Sequence, residues 1–216
     1  MMKNVVIIAG PSAVGKTTVA QYMMDADSRY ELVRSVTSRA PRGDGFDDEY
    51  IYESRENFLK LIREGGVLEH TEYAGNLYGT PRSEIDRICA EGGIPLLILD
   101  IEGVKSLSRA EGIASCSVYV YDDISVMDER LEKRFLSGEP DEAAKKRCAS
   151  RKAQNRKDYR DFPEVADSFY ILVHNKRTPK ETADEIRAIF EGFTHGTKKD
   201  SAKNMETARK LADSVN

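Results

Sequence analysis

The chain has no tryptophan and only three cysteines, three histidines and seven prolines among 216 residues. Cys89, Cys116 and Cys148 share no metal or redox spacing, and an odd number of thiols fits a reducing, cytoplasmic setting better than a disulfide framework. They read as packing residues. His70, His174 and His195 are equally dispersed, so no zinc centre is expected. Charge of one sign is also missing. The formal net charge is -4, which argues against a general nucleic-acid or polyphosphate-binding surface. The longest apolar stretch, around Ile94 to Ile101, contains Pro95 and Asp100 and falls short of membrane-spanning length, so no membrane partner is expected. Met1-Met2-Lys3-Asn4 leads directly into an apolar run without the pattern of a signal peptide.

What the chain does have begins at Val5-Val6-Ile7-Ile8, which runs into Gly10-Pro11-Ser12-Ala13-Val14-Gly15-Lys16-Thr17 and then Thr18. This octet fits the phosphate-binding pattern G-x-x-x-x-G-K-[ST] at every specified position, between a strand and a helix. Glycines at both ends let successive backbone N–H groups turn inward toward an anion. The helix that follows presents its positive N-terminal end to the same anion. Lys16 can reach the β- and γ-phosphates, and the Thr17 hydroxyl can ligate Mg²⁺. The pattern predicts a nucleoside triphosphate site.

Four β-rich runs read as core strands: Val5–Ala9, Ile94–Leu99, Cys116–Val120 and Phe169–Val173. Glu31–Ser35 is expected as a fifth. Helical patterns at Lys16–Asp25, Val126–Leu136 and Pro179–Phe190 alternate with them, predicting an α/β fold with a five-stranded parallel sheet flanked by helices. Ligands of such sheets gather at the carboxyl ends of the strands, where Gly10 and Asp100 fall. Residues 36–81 carry turn signals, short strand-like pieces and a small helix near Glu56–Arg63, and read as an inserted subdomain. Residues 137–160 are strongly polar and read as a mobile cover. The core is then 1–35, 82–136 and 161–190. Residues 191–216 are expected to be a linker and a tail, whose thin stripe Met205, Ala208, Leu211 and Val215 fits a frayed end, a weakly docked helix or a partner-binding helix.

A phosphate loop alone does not choose the acceptor. Ser35-Val36-Thr37-Ser38-Arg39-Ala40-Pro41-Arg42 sets two arginines around a stiff turn, an arrangement suited to a phosphate monoester. Glu49-Tyr50, Leu68-Glu69 and Tyr78-Gly79-Thr80 follow in order. This ordered set resembles the guanylate kinase family, and with the phosphate loop the resemblance covers roughly residues 4 to 190. It implies that Arg39, Arg42, Tyr50 and Tyr78 hold the monophosphate of GMP, and that Glu69 reads guanine with help from Ser35 and Thr80. A carboxylate suits guanine, which offers two N–H donors along one edge, whereas adenine presents a bare acceptor there.

The resemblance also implies Asp100 and Glu102 on the GMP side, with Asp100 and Thr17 near Mg²⁺. Here Gly103 follows Glu102 directly, so the turn is shorter than the family's, and Pro81 is expected to open the next helix at its first position. Arg130-Leu131-Glu132-Lys133-Arg134 matches R-L-x-x-R, giving Arg130 to ATP and Arg134 to catalysis. Arg147 is the expected later lid arginine, with Arg151 its rival one turn on, and Asn175 is expected beside adenine. The implied fold is a P-loop kinase with a GMP-binding insertion (36–81) and a lid (137–160). The implied reaction is ATP + GMP ⇌ ADP + GDP, Mg²⁺-dependent and part of purine nucleotide metabolism, in a monomer or homo-oligomer. Lys16, Arg134 and Arg147 would supply the charge. Two other readings stay open: a related small P-loop kinase with another phosphorylated acceptor, and a non-catalytic binding module of the same fold.

Overall fold

The structure, a computed structural model, describes residues 2–41, 50–73, 75–176 and 178–215. Two sheets organise them. The first contains β1 (Lys3–Ala9), β2 (Tyr30–Leu32), β7 (Ile94–Ile98), β8 (Ile113–Tyr121) and β9 (Ile171–His174), and the second contains β3 (Ser35–Thr37), β4 (Tyr50–Tyr52), β5 (Val67–Tyr73) and β6 (Asn76–Pro81). The helices are α1 (Lys16–Ala26), α2 (Arg55–Arg63), α3 (Arg82–Ala90), α4 (Ile101–Leu107), α5 (Ile124–Phe135), α6 (Glu142–Asp161), α7 (Pro179–Thr194) and α8 (Ser201–Asp213).

The first sheet is parallel throughout, in the order β2-β7-β1-β8-β9. Its centre is β1, whose residues Val5 through Ala9 are fully buried. An unbroken apolar run, rather than an alternating one, is what a strand covered on both faces requires. The carboxyl ends of β1 and β7 deliver Gly10 and Asp100 to the same rim of the sheet.

The expected fifth strand, Glu31–Ser35, is divided between the two sheets. Tyr30–Leu32 pairs with β7, whereas Ser35–Thr37 pairs with β4 and β6. One apolar run thus serves two sheets, which strand propensity cannot distinguish. Pro81 also departs from expectation. It ends β6 and caps α3 from outside, with φ -74° and an extended ψ of 132°. A cap residue is non-helical.

The second sheet, in the order β4-β3-β6-β5, has two unlike faces. Val36, Phe58 and Leu77 form a small buried cluster beneath α2, joined by Ile51, Leu61, Ile62 and Val67. Strand alternation puts the polar residues on the opposite face. The tail is the helix α8. Ala208 and Leu211 are buried in the main core, with Met205 and Val215 packed against it. The buried Asn204 donates through Nδ2 to the carbonyls of Phe169 at 3.1 Å and Tyr170 at 3.2 Å. A buried amide satisfied in this way fixes the helix to the chain entering β9.

Candidate functional site

The phosphate loop is braced at its carbonyls. Gly10 O and Pro11 O accept from Lys16 Nζ at 2.7 and 2.9 Å. Ser12 O accepts from Asn155 Nδ2 at 3.0 Å, and Asn155 Oδ1 accepts in return from Ser12 N at 2.8 Å. Ala13 O and Val14 O accept from Arg130 Nη1 at 3.3 and 3.4 Å, and Val14 O also accepts from Asn175 Nδ2 at 2.7 Å. Every carbonyl from Gly10 to Val14 therefore has a side-chain donor. Peptide planarity then points the N–H groups of Ala13, Val14 and Gly15 away from those donors. Gly10, at φ +148°, could not carry a side chain, because a Cβ would stand 2.2 Å from Val120 O. Gly15, at φ +105°, is the N-cap of α1.

The braces are themselves anchored. Arg130 pairs with buried Asp122 at 3.0 Å. The peptide of Asp122 is held in turn by Tyr159, whose hydroxyl donates to Asp122 O at 2.6 Å and accepts from Asp122 N at 3.0 Å. Asn175 Oδ1 accepts from Thr182 on α7 at 2.7 Å.

Two clefts meet at this loop. One, of about 570 Å³, is lined by Ser12, Ala13, Gly15, Lys16, Thr17, Thr18, Arg130, Arg134, Arg151 and Asn175. The other, of about 790 Å³, includes Gly10, Ser12, Lys16, Asp100, Glu102, Tyr119, Arg151 and Asp158. Ser12, Lys16 and Arg151 belong to both. Burial lowers the Lys16 ammonium to about 8, opposed by the negative charge of Asp158 and reinforced by Arg151. At neutral pH it stays mostly protonated.

Arg147 and Arg151 separate here. Arg151 reaches Ser12 Oγ at 3.5 Å, whereas exposed Arg147 lines neither cleft. The Asn155–Ser12 bonds fix which turn of α6 meets the loop, and Arg147 lies one turn farther from it than Arg151. Asn155 and Asp158 escaped the sequence reading. Arg151, Asn155 and Asp158 are spaced i, i+4, i+7 and share one helix face, the one signal that could have found them.

On the second sheet, Glu69 Oε1 accepts from Thr80 Oγ1 at 2.6 Å. Burial raises the Glu69 carboxyl, with Asp100 adding to the rise and the Thr80 bond opposing it. A bulge between Val67 and Glu69 makes this geometry possible. Val67 pairs with Pro81 and Glu69 with Thr80, so two residues advance on β5 for one on β6. Val67 thus packs into the small core while Glu69 points to the polar face. Gly79 permits the close approach, since a Cβ there would lie 2.6 Å from Glu69 O and 2.7 Å from Val67 Cγ1.

Ser35 is the register partner of Tyr50, and the Tyr50 and Tyr78 rings meet edge-on at 6.1 Å. The Arg39 guanidinium lies 5.3 Å from the Tyr50 ring centre. The structure therefore gathers Ser35, Arg39, Tyr50, Glu69, Tyr78 and Thr80 on one small sheet. Arg42 lies outside the described residues, as does Glu49.

Asp100 caps α4, its Oδ1 accepting from Gly103 N at 2.7 Å. The shortened turn starts this helix at once and carries Glu102 outward, where its side chain is 78% exposed and pairs with Lys105 at 2.7 Å. As for a divalent cation, Thr17 lines the first cleft and Asp100 the second, and each offers a hard oxygen donor. That donor set fits Mg²⁺.

A profile of the guanylate kinase family matches residues 2–193. Guanylate kinase from Synechocystis is 30% identical over 172 residues, covering 79% of this chain and 90% of that protein. The enzyme from Rubrobacter xylanophilus is 33% identical over 148 residues, 68% of this chain and 76% of its own. The one from Parasynechococcus marenigrum is 39% identical over 110 residues, 50% of this chain and 60% of that protein. The crystal structure of guanylate kinase from Anaplasma phagocytophilum shares the fold, with a TM-score of 0.61 at 22% identity over 91% of this chain and 88% of that one.

Proposed function

Because the chain belongs to the guanylate kinase family, it phosphorylates GMP at the expense of ATP, and we propose how its residues divide that reaction. The first cleft takes ATP, its phosphates against the loop from Gly10 to Thr18 and its charge met by Lys16, Arg130 and Arg134. The second sheet takes GMP. Glu69, supported by Thr80 and Ser35, accepts from the guanine edge, and Arg39, Tyr50 and Tyr78 hold the monophosphate, with Arg42 assigned by resemblance alone.

The observation that carries this reading is the shared lining of the two clefts. Lys16 and Arg151 face both, so positive charge accompanies the phosphoryl group from donor to acceptor. Phosphoryl transfer needs little else from the protein than in-line positioning and charge neutralisation. In this scheme Arg151 takes the role expected of Arg147. When bound, Mg²⁺ neutralises developing phosphate charge, and Thr17 and Asp100 are the residues that would hold it.

Among the described residues no helix is long and apolar enough to cross a membrane. A cytoplasmic place in purine nucleotide metabolism fits the three free thiols. A coupled assay of ADP release over a panel of nucleoside monophosphates tests the assignment. Turnover should require GMP, and equal turnover with AMP would contradict the base assignment.

A further inference from the structure

Tyr119 on β8 and Tyr159 on α6 are both buried, at 1% and 0% exposure. The fold treats their hydroxyls differently. That of Tyr159 donates and accepts at the Asp122 peptide. That of Tyr119 has no hydrogen-bond partner among the described residues, although its ring is packed firmly, stacked on Phe162 at 3.9 Å and edge-on to Phe169 at 5.1 Å. Buried hydroxyls are nearly always paired, and an exception calls for a reason.

The surroundings of Tyr119 supply one. It lines the second cleft together with Lys16, Arg151 and Asp158. Asp158 is half-buried, and its Oδ1 accepts from Gln154 Nε2 at 2.7 Å. It lies one turn beyond Asn155, the residue that ties α6 to the loop at Ser12. Burial raises the Tyr119 hydroxyl, with the Tyr159 and Asp158 charges adding to the rise, and the Asp158 charge opposes the fall that burial imposes on the Lys16 ammonium. Two of the three Lys16 N–H donors are spent on loop carbonyls, which leaves one to aim.

We propose that Asp158 is a positioning residue for phosphoryl transfer. From the lid helix it holds the Lys16 ammonium in line with the migrating group, and the Tyr119 hydroxyl donates to its carboxylate when nucleotides fill the clefts. This rests on the kinase reading above. It makes the unpaired phenol a donor kept for the loaded enzyme, and it couples the seating of α6 to the aim of the catalytic lysine.

Steady-state kinetics and thermal melting of Tyr119→Phe, Asp158→Asn, Asp158→Glu and the double variant Tyr119→Phe/Asp158→Asn test it. Loss of a hydrogen bond to a charged group corresponds to about tenfold in rate. Asp158→Asn should therefore lower kcat about tenfold with KM for ATP and GMP little changed, and Asp158→Glu should recover part of the loss. Tyr119→Phe should lower kcat by a smaller factor, about threefold, on the same reasoning. Its melting temperature should equal or exceed the parent's, because no bond of the resting fold is lost. The double variant should be no slower than Asp158→Asn alone. Tyr119→Phe at the parental kcat, a double variant whose losses multiply, or a change confined to the GMP KM would each overturn the inference. A parent chain without GMP-dependent ADP release would remove the kinase reading itself, whereas an active parent with an unaffected Tyr119→Phe removes only the role of Tyr119 and Asp158.

Discussion

The phosphate loop and the acceptor sheet are built on different principles. The loop is a backbone device, its carbonyls from Gly10 to Val14 fixed by Lys16, Arg130, Asn155 and Asn175, which come from four helices or their approaches. It sits against the main core, where Val5 to Ala9 are fully buried. The acceptor sheet is a side-chain device over a small core of its own, whose fully packed residues are Val36, Phe58 and Leu77. Rigid backbone amides suit the polyphosphate of the donor. Side chains on a lightly founded sheet suit the choice of one base, because they can be exchanged without disturbing the transfer machinery. Damage to the two regions should therefore read out in different constants.

Lys16→Ala should give the largest effect. It removes charge needed as the phosphoryl group moves, lowering kcat by roughly a hundredfold or more. Circular dichroism should remain close to the parent's, since the lysine heads into the clefts rather than the core. Near-parental turnover would show that the loop is not the transfer site.

Phe58→Ala attacks the other region at its base. Truncating a buried phenylalanine costs about 3–5 kcal/mol, more than so small a core can absorb. KM for GMP should rise at least tenfold, on the order expected from that loss, while ATP affinity measured without GMP stays put. A parallel fall in ATP affinity would mean the two regions are not separable.

The arginines of α6 offer a finer distinction. Arg151→Ala should depress kcat by about tenfold, the scale of a lost charge-assisted contact, and Arg147→Ala should leave it near the parental value. The reverse ranking would place the wrong turn of α6 over the loop.

How far these regions were legible in the sequence follows the same divide. The loop could be read outright, because Gly10, Gly15, Lys16 and Thr17 are neighbours in the chain and their spacing is set by the phosphate. The sheet residues were legible only as an ordered set, since Glu69 alone looks like any surface acid. The bulge that turns Glu69 to the polar face was not visible, because it depends on the register between Val67 and Pro81. Asn155 and Asp158 were hidden in a polar helix whose composition carries no contrast between faces. The stripe on α8 was seen, but the Asn204 bonds that seat it depend on carbonyls more than thirty residues away.

Acidity gives the smallest effect and sharpens the sheet's side of the comparison. Burial raises the Glu69 carboxyl above its usual range. On the proposed assignment guanine needs it ionised, so KM for GMP should begin to climb at a higher pH than an ordinary glutamate would give as acid is added. ATP affinity should not follow it. The sign for stability is the opposite: a raised carboxyl favours the fold when protonated, and that contribution is lost as pH rises through the raised value. Glu69→Gln should therefore melt no lower than the parent at neutral pH, and a clear drop would assign Glu69 a structural role instead.

The most direct test of the division is base choice. It is the comparison of kcat/KM for GMP and AMP in the parent and in Glu69→Gln, with KM for ATP measured alongside. A site built on hydrogen bonds to one base rejects another by about 10⁴ or more. The parent should prefer GMP on that scale, and Glu69→Gln should narrow the gap by weakening GMP alone while the ATP constant stays fixed. A parent that uses AMP as well as GMP, or a Glu69→Gln variant that loses ATP and GMP together, would contradict the account.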